Sequence, residues 1–326
     1  MKYRKLGRTG FEVSEIGYGG WGIGGGWGTM DDDNALKAID KAMEMGVNFF
    51  DTALGYGNGH SERLIGKAVR KNRDKVIIAT KIPPKTFNWP VLPHEPIEAT
   101  FPAEWIIKCT EESLLNLGTD YIDVQQLHSW TDGYVEQSEW FEAFTILKKQ
   151  GKVRAFGVSA NDWDPYNTVN LVKSGMIDSI QVIYNIFEQR PAEELLPAAS
   201  NNNVGIIVRV PFEEGLLTGS LKPGHVFVSD DWRADWLTPE RLHEANERVE
   251  KLKPFLKGDR PDLPSLALKF CLSHPAVSVV IPGMSKVHHV ESNCAVSDGI
   301  LLDTDELKQI KKHAFVHGWS YPWSQQ

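Results

Sequence analysis

Short runs of apolar, β-branched residues alternate along this chain with longer stretches whose apolar residues recur at helical spacing. Near-continuous apolar runs suit strands buried on both faces, and one-sided periodic runs suit the helices that cover them, so the alternation predicts a parallel sheet under helices. Eight strands are expected, over residues 15–19, 48–51, 76–81, 121–127, 153–158, 179–184, 205–210 and 277–281. The helical patterns between them carry start and stop signals. Asp31, Asp32 and Asp33 precede a periodic run over 35–43 that Gly46 ends, and Pro102 and Glu104 open another over 106–117 that Gly118 ends. Further helices are expected over 61–71, 138–149, 165–172, 191–201, 239–256, 265–273 and 286–296, and a hairpin over 3–16 opens the chain.

Eight such alternations, with no Pro/Gly/Ser linker between two composition zones, favour one α/β domain over 1–326, a (β/α)8 TIM barrel. Three segments exceed the minimal unit: 82–101 after the third strand, 211–260 after the seventh, and 303–326. Loops after the strands form the active-site face of a barrel, so the first two are expected to build a substrate pocket. The C-terminal segment starts as a helix over 305–314 and ends in an aromatic, turn-rich tail from His317 to Trp323, which either covers that pocket or packs on the barrel wall. Gly17, Gly19 and Gly22 match the G-x-G-x-x-G spacing of a pyrophosphate turn. Residues 23–29 hold four more glycines and cannot continue as the helix that motif requires, so a loop that lets backbone approach a ligand is the expected role.

Charge and composition narrow the partners. With 35 basic and 43 acidic residues the net charge is −8, so no global field draws nucleic acid or anionic lipid. The basic stretch from Lys67 to Lys75 is spaced like the solvated face of a helix. Cys109, Cys271 and Cys294 are odd in number and far apart, which suits buried thiols in a reducing compartment. No apolar run approaches the ~18 residues of a membrane helix, and the basic N-terminus has no apolar region behind it. A cytoplasmic protein is expected.

Catalytic groups of a barrel come from the C-terminal ends of different strands. Asp51 ends the second strand, Lys81 the third and His128 the fourth, and Tyr56 follows in the loop after Asp51. Any one of these is ordinarily just where an apolar strand meets water. Three neighbouring strands delivering Asp, Lys and His to one rim beside a tyrosine supply what proton transfer to a carbonyl oxygen requires. The Lys81 ammonium is expected to bring the phenol down from its usual ~10, Asp51 to keep the lysine charged, and His128 to hydrogen-bond the carbonyl. None of these groups carries hydride, so a nicotinamide cofactor is required. His60, His288 and His289 have no ligand-like spacing to acidic partners and are expected to be solvated, with no metal site.

The stretches Tyr3-Arg4-x-Leu6-Gly7, Gly46-Val47-Asn48-Phe49-Phe50-Asp51-Thr52-Ala53, Tyr56-Gly57, Leu127-His128, Gly157-Val158-Ser159, Gln181-Val182-x-Tyr184-Asn185, Gly215-Leu216-Leu217-Thr218-Gly219 and Ile281-Pro282-Gly283 follow one another in a particular order. In that order the chain resembles the aldo-keto reductases along essentially its full length. The resemblance implies a barrel that binds extended NADPH (NADP+ when oxidised) and reduces a small-molecule aldehyde or ketone, with Tyr56 as general acid-base, Lys81 and Asp51 tuning it, and His128 orienting the carbonyl. It places Ser159 and Gln181 at the nicotinamide carboxamide. Ala160 departs from the common pattern there, which shifts one contact towards Asn161.

Arg209 stands where relatives often stack an aromatic ring on the nicotinamide. Its charge is expected to disfavour the oxidised ring and so favour carbonyl reduction. The resemblance further implies Pro211, Phe212, Gly215, Leu216, Thr218 and Gly219 along the diphosphate, and Gly283, Ser285, Lys286, His289 and Asn293 around the adenosine phosphate and adenine, at a helix N-terminus. Tryptophans following the strands are expected to wall the substrate pocket, Trp21 and Trp130 foremost, with Trp27 and Trp89 behind them. The alternatives are a cofactor-binding sensor or regulatory subunit with little turnover and, more remotely, a metal-dependent barrel hydrolase. Substrate identity and oligomeric state are set by loops and surfaces that periodicity does not fix.

Overall fold

A computed structural model describes residues 1–25, 31–162, 164–228 and 231–319. Strands β1 (Tyr3–Lys5) and β2 (Glu12–Ser14) form the opening hairpin. All eight expected parallel strands are present: β3 (Tyr18–Gly19), β4 (Phe49–Asp51), β5 (Ile77–Ile82), β6 (Ile122–Leu127), β7 (Val153–Ser159), β8 (Ser179–Ile183), β9 (Gly205–Arg209) and β10 (Val277–Val280). Each pairs with the next in chain order. Parallel bridges from Ile16 to Val280 and from Gly19 to Gly283 join the first to the last and close the barrel. The seam is tight: a Cβ on Gly19 would sit 2.7 Å from the Ile281 carbonyl oxygen. Gly17 and Gly19 therefore serve barrel closure, and Gly22, the last glycine of that spacing, opens a short 3-10 turn, Gly22–Gly24.

Side chains alternate across a strand, so every second residue faces the barrel axis. Phe49, Ile77, Ala79, Val124, Ala155, Ile207 and Val279 fill the interior, and Leu6 and Val13 of the hairpin plug its N-terminal end. Two residues further along the same inward faces come Asp51, Lys81, Gln126 and Arg209 in place of apolar ones. One inward stripe thus reads as core below and chemistry above.

Helices cover the outside. Asp31 caps α1 (Asp32–Glu44) by accepting from the Asp33 and Asn34 N–H groups, and Ala35, Ala38, Ile39 and Ala42 form its buried face. The others are α2 (His60–Val69), α3 (Ile97–Thr100), α4 (Ala103–Leu117), α5 (Glu139–Lys149), α6 (Val169–Ser174), α7 (Leu195–Asn201), α8 (Arg233–Trp236), α9 (Pro239–Glu250), α10 (Leu263–Leu272), α11 (Val287–Ala295) and α12 (Thr304–Ile310). Several helix bounds shift; the helix expected over 191–201 begins at Leu195 and the one expected over 305–314 ends at Ile310. The helix expected over 165–172 begins at Val169, because the Asp164 carboxylate takes the Tyr166 N–H at 3.0 Å and turns the chain first. The helix expected over 239–256 stops at Glu250, since Pro254 lacks the N–H that would continue it and its ring would meet the Glu250 carbonyl. All three cysteines are buried. Among the described residues, no helix is long and apolar enough to cross a membrane.

Candidate active site

Lys81 is completely buried, and its ammonium donates to Asp51 Oδ1 at 2.5 Å, to the Thr52 carbonyl at 2.7 Å and to the Tyr56 hydroxyl at 3.2 Å. Its three protons have three acceptors. Asp51 Oδ2 takes the Gln181 amide N–H at 2.7 Å, so both carboxylate oxygens are also satisfied. Burial works against the Lys81 charge, but Asp51 and Tyr56 outweigh it and hold the lysine above its ordinary pKa. Burial pushes the Asp51 carboxyl up, against the pull of Lys81, Gln181 and Gln126. With an ammonium on one oxygen and an amide on the other, the carboxylate is the form this geometry serves.

Tyr56 stands in the turn after β4, where its N–H meets the Ala53 carbonyl at 3.0 Å. Burial raises its pKa and Lys81 pulls it back, with a net upward shift. The expected net lowering is thus reversed, because desolvating a phenolate in this aromatic setting costs more than one ammonium returns. Tyr56 keeps its proton at neutral pH. His128, just past β6, lies well below its ordinary value through burial and the nearby charges of Lys81 and Arg209. It is a neutral imidazole, with one N–H to give.

A cavity of about 370 Å³ opens above these groups. Trp21, Tyr56, His128 and Trp89 form an edge-to-face row along its wall, with successive ring centroids 4.9, 5.6 and 4.4 Å apart. Opposite them the wall holds Ser159, Gln181 and Arg209, then Pro211, Phe212 and Gly215, with Gly283 across the seam. Among the described residues Gln181 Oε1 is a buried acceptor with no hydrogen-bond partner, and Gln181 lines the cavity. Among the described residues, no group of three His, Cys, Asp or Glu side chains is placed to hold a metal ion.

Two expected contacts, those of Trp130 and Asn161, fall elsewhere. Trp130 is fully buried, with Tyr134 at 5.5 Å and Trp140 at 5.1 Å, so it is core and not pocket wall. The loop brace fixes it there: Asn161 Oδ1 accepts from the Ser129 hydroxyl at 2.7 Å and the Trp130 N–H at 3.2 Å. That brace also keeps Asn161 off the pocket wall. Trp89, ranked behind Trp130, lines the cavity instead. Leu216, Thr218 and Gly219 shape the 3-10 turn Leu216–Thr218 behind the lining residues. Half-buried Ser285 and exposed Lys286 stand at the N-terminus of α11, with His289 in its first turn and Asn293 buried further along. Trp27 and the tail beyond Trp319 lie outside the described residues.

Three lining or supporting residues escaped sequence reasoning. Gln126 completes the inward row Val124, Gln126, His128, a spacing that signals it in retrospect. Asp162 pairs with Arg209, which also donates to the Ala160 carbonyl at 3.0 Å. Glu214 reaches the cavity wall, and burial together with Glu213 and Asp162, against Arg233 and Arg209, pushes its carboxyl up to about 8.

Comparison with known proteins agrees in extent. The model of the Aldo/keto reductase family matches residues 15–314. The aldo-keto reductase YhdN of Bacillus subtilis (strain 168) is 32% identical over 316 residues, covering 95% of this chain and 92% of its own. The NADH-specific methylglyoxal reductase of Escherichia coli (strain K12) is 30% identical over 317 residues, covering 94% and 96%. Among solved structures, the holo form of the aldo-keto reductase AKR11C1 from Bacillus halodurans superposes with a TM-score of 0.77 at 29% identity, over the full length of both chains.

Proposed function

The chain belongs to the aldo/keto reductase family of oxidoreductases, and from that premise we propose that it reduces aldehydes or ketones to alcohols with NADPH, Tyr56 giving its proton to the carbonyl oxygen. The observation that carries this reading is the buried Lys81 ammonium 3.2 Å from the hydroxyl of a protonated Tyr56, beside a neutral His128. His128 donates its N–H to the same carbonyl oxygen and fixes its direction towards Tyr56. As the proton leaves, the ammonium stabilises the phenolate, and Asp51 holds the ammonium in place. The cofactor, when bound, supplies the hydride.

The residues present suit a nicotinamide group. The orphan Gln181 Oε1 would accept from the carboxamide, with Ser159 beside it on the cavity wall. A Cβ at Gly283 would meet nothing within 4 Å, so that rim is open for a long ligand to leave towards Ser285 and Lys286. Lys286, at the N-terminus of a nine-residue helix, suits a 2′-phosphate and carries the preference for NADPH in this reading. Three buried thiols suit a reducing compartment, the cytoplasm. The test follows NADPH absorbance across aliphatic, aromatic and α-dicarbonyl compounds. Turnover of at least one class supports the proposal; binding without turnover across the panel contradicts it and favours a sensor.

A further inference from the structure

The loop after β9 bends in a way side chains rarely allow. Val210, Glu213 and Glu214 all take left-handed φ values, of 53°, 47° and 51°. For a β-branched valine that region is costly, and it persists only where the surroundings fix it. Three outside elements do so. Asn185, just past β8, donates to the Val210 carbonyl at 2.9 Å and to Glu213 Oε2 at 2.5 Å. Arg233 of α8 donates to the Glu214 carbonyl at 3.0 Å. From the C-terminal tail, His317 Nε2 meets Glu213 Oε1 at 2.8 Å. Glu213 is 3% exposed, and its two oxygens are divided between a strand end and the tail.

The described tail leaves the large cavity alone. The Phe315 N–H donates to the Phe187 carbonyl at 2.9 Å, the Arg248 guanidinium lies 3.7 Å from the Phe315 ring centre, and His317 stacks on Trp319 at 4.5 Å. These contacts close a second cavity, of about 40 Å³, lined by Glu213, Phe315 and His317 among others. Asp162 borders both cavities. Consecutive residues face apart: Glu213 lines the small cavity and Glu214 the large one. One strained turn thus connects the tail contact at His317 with the wall of the large cavity.

We propose that His317 acts through Glu213 as a positioning residue for the 210–215 loop, so that the C-terminal tail sets dinucleotide affinity without touching the dinucleotide. This rests on the reading above in which Phe212 and Gly215 flank that ligand. Glu213 is buried, His317 is half-buried and the acceptor is a carboxyl oxygen, so the contact is worth more than a fully exposed pair.

The test compares His317→Ala and His317→Gln with the parent protein. It measures the NADPH Kd by fluorescence, kcat at saturation, and amide hydrogen exchange over 211–219 in the free protein. His317→Ala should raise the Kd roughly 10-fold, leave kcat within about twofold, and speed exchange across the loop. His317→Gln, whose amide N–H reaches the same carboxylate, should restore most of both. Glu213→Gln gives a second route to the same weakening and should raise the Kd in the same direction. Unchanged exchange and unchanged Kd overturn the proposal, as does a fall in kcat at constant Kd. Faster exchange with an unchanged Kd shows that the loop does not hold the dinucleotide, which overturns the cofactor assignment of Phe212 and Gly215 instead of the His317 clamp.

Discussion

The Lys81 ammonium lies 3.2 Å from the Tyr56 hydroxyl above the apolar interior of the barrel, with Asp51 at 2.5 Å. An ammonium so placed stabilises negative charge on Tyr56 as the proton departs, and in a dry site that stabilisation is large. Lys81→Met should lower kcat at least ~100-fold while changing NADPH affinity little. Lys81→Arg should not restore it, because a planar fork cannot meet three acceptors arranged around one nitrogen. Steady-state kinetics with separate cofactor titrations checks both.

The pH profile follows from the same shifts. Reduction by the proposed route needs Tyr56 protonated, and burial holds its pKa above the ordinary phenol value, so the forward rate should stay flat from about pH 6 to about 8 and fall only in strong alkali. Alcohol oxidation needs the phenolate and should climb with pH over that range. His128 is neutral well below 6.5, so no inflection belongs there. A forward rate that breaks near pH 6.5 would contradict this account.

Glu214 links pH to stability with a definite sign. Its folded pKa, about 8, exceeds the ordinary 4.5, so the folded protein holds that proton more tightly than the unfolded chain. Its contribution is intact below 4.5 and is lost as pH rises through 8. Glu214→Gln should therefore stabilise the protein at alkaline pH by on the order of 1–3 kcal/mol and have no such benefit near pH 4. Thermal melts at the two pH values decide it.

Lys286 gives the cofactor prediction. Lys286→Met should raise the KM for NADPH at least ~10-fold more than that for NADH, since only the former loses a charged contact to phosphate. Equal effects on the two would remove Lys286 from the phosphate site.

Gly24 lies against Tyr56, the proposed proton donor: a Cβ there would sit 2.9 Å from the Tyr56 carbonyl carbon and from its Cβ. Gly24→Ala should shift Tyr56 and lower kcat/KM about 10-fold or more, with the fold retained by circular dichroism. Parent-like kinetics would show that the loop yields instead.

Much of this was legible in the sequence because strand periodicity fixes which side chains face the axis. Apolar runs marked all eight strands, and the residues at their upper ends, Asp51, Lys81 and His128, converge as their positions imply. The failures lie in loops, where spacing says nothing of direction. Trp130 and Trp89 both follow strands, yet an asparagine brace turns one into the core while the other flanks His128. Arg209 reads as a bare cation under a nicotinamide until Asp162 appears beside it, which weakens the charge argument for a bias towards carbonyl reduction. The glycines Gly17, Gly19 and Gly22 resemble a phosphate turn by spacing alone; the first two prove to be the seam of the barrel, and Gly19 and Gly22 let backbone line the cavity. Tyr56 shows the same limit in energies: its charged neighbour is visible in the sequence, and its burial is not.

The most direct test of the central claim is Tyr56→Phe, assayed for NADPH binding by fluorescence and for carbonyl reduction by absorbance on the same sample. The phenyl ring keeps the edge-to-face contacts with Trp21 and His128 and loses the hydroxyl that carries the proton and accepts from Lys81. The account predicts cofactor affinity within about twofold of the parent and a rate lower by at least ~100-fold. A variant that binds NADPH and still reduces carbonyls at the parental rate would contradict it.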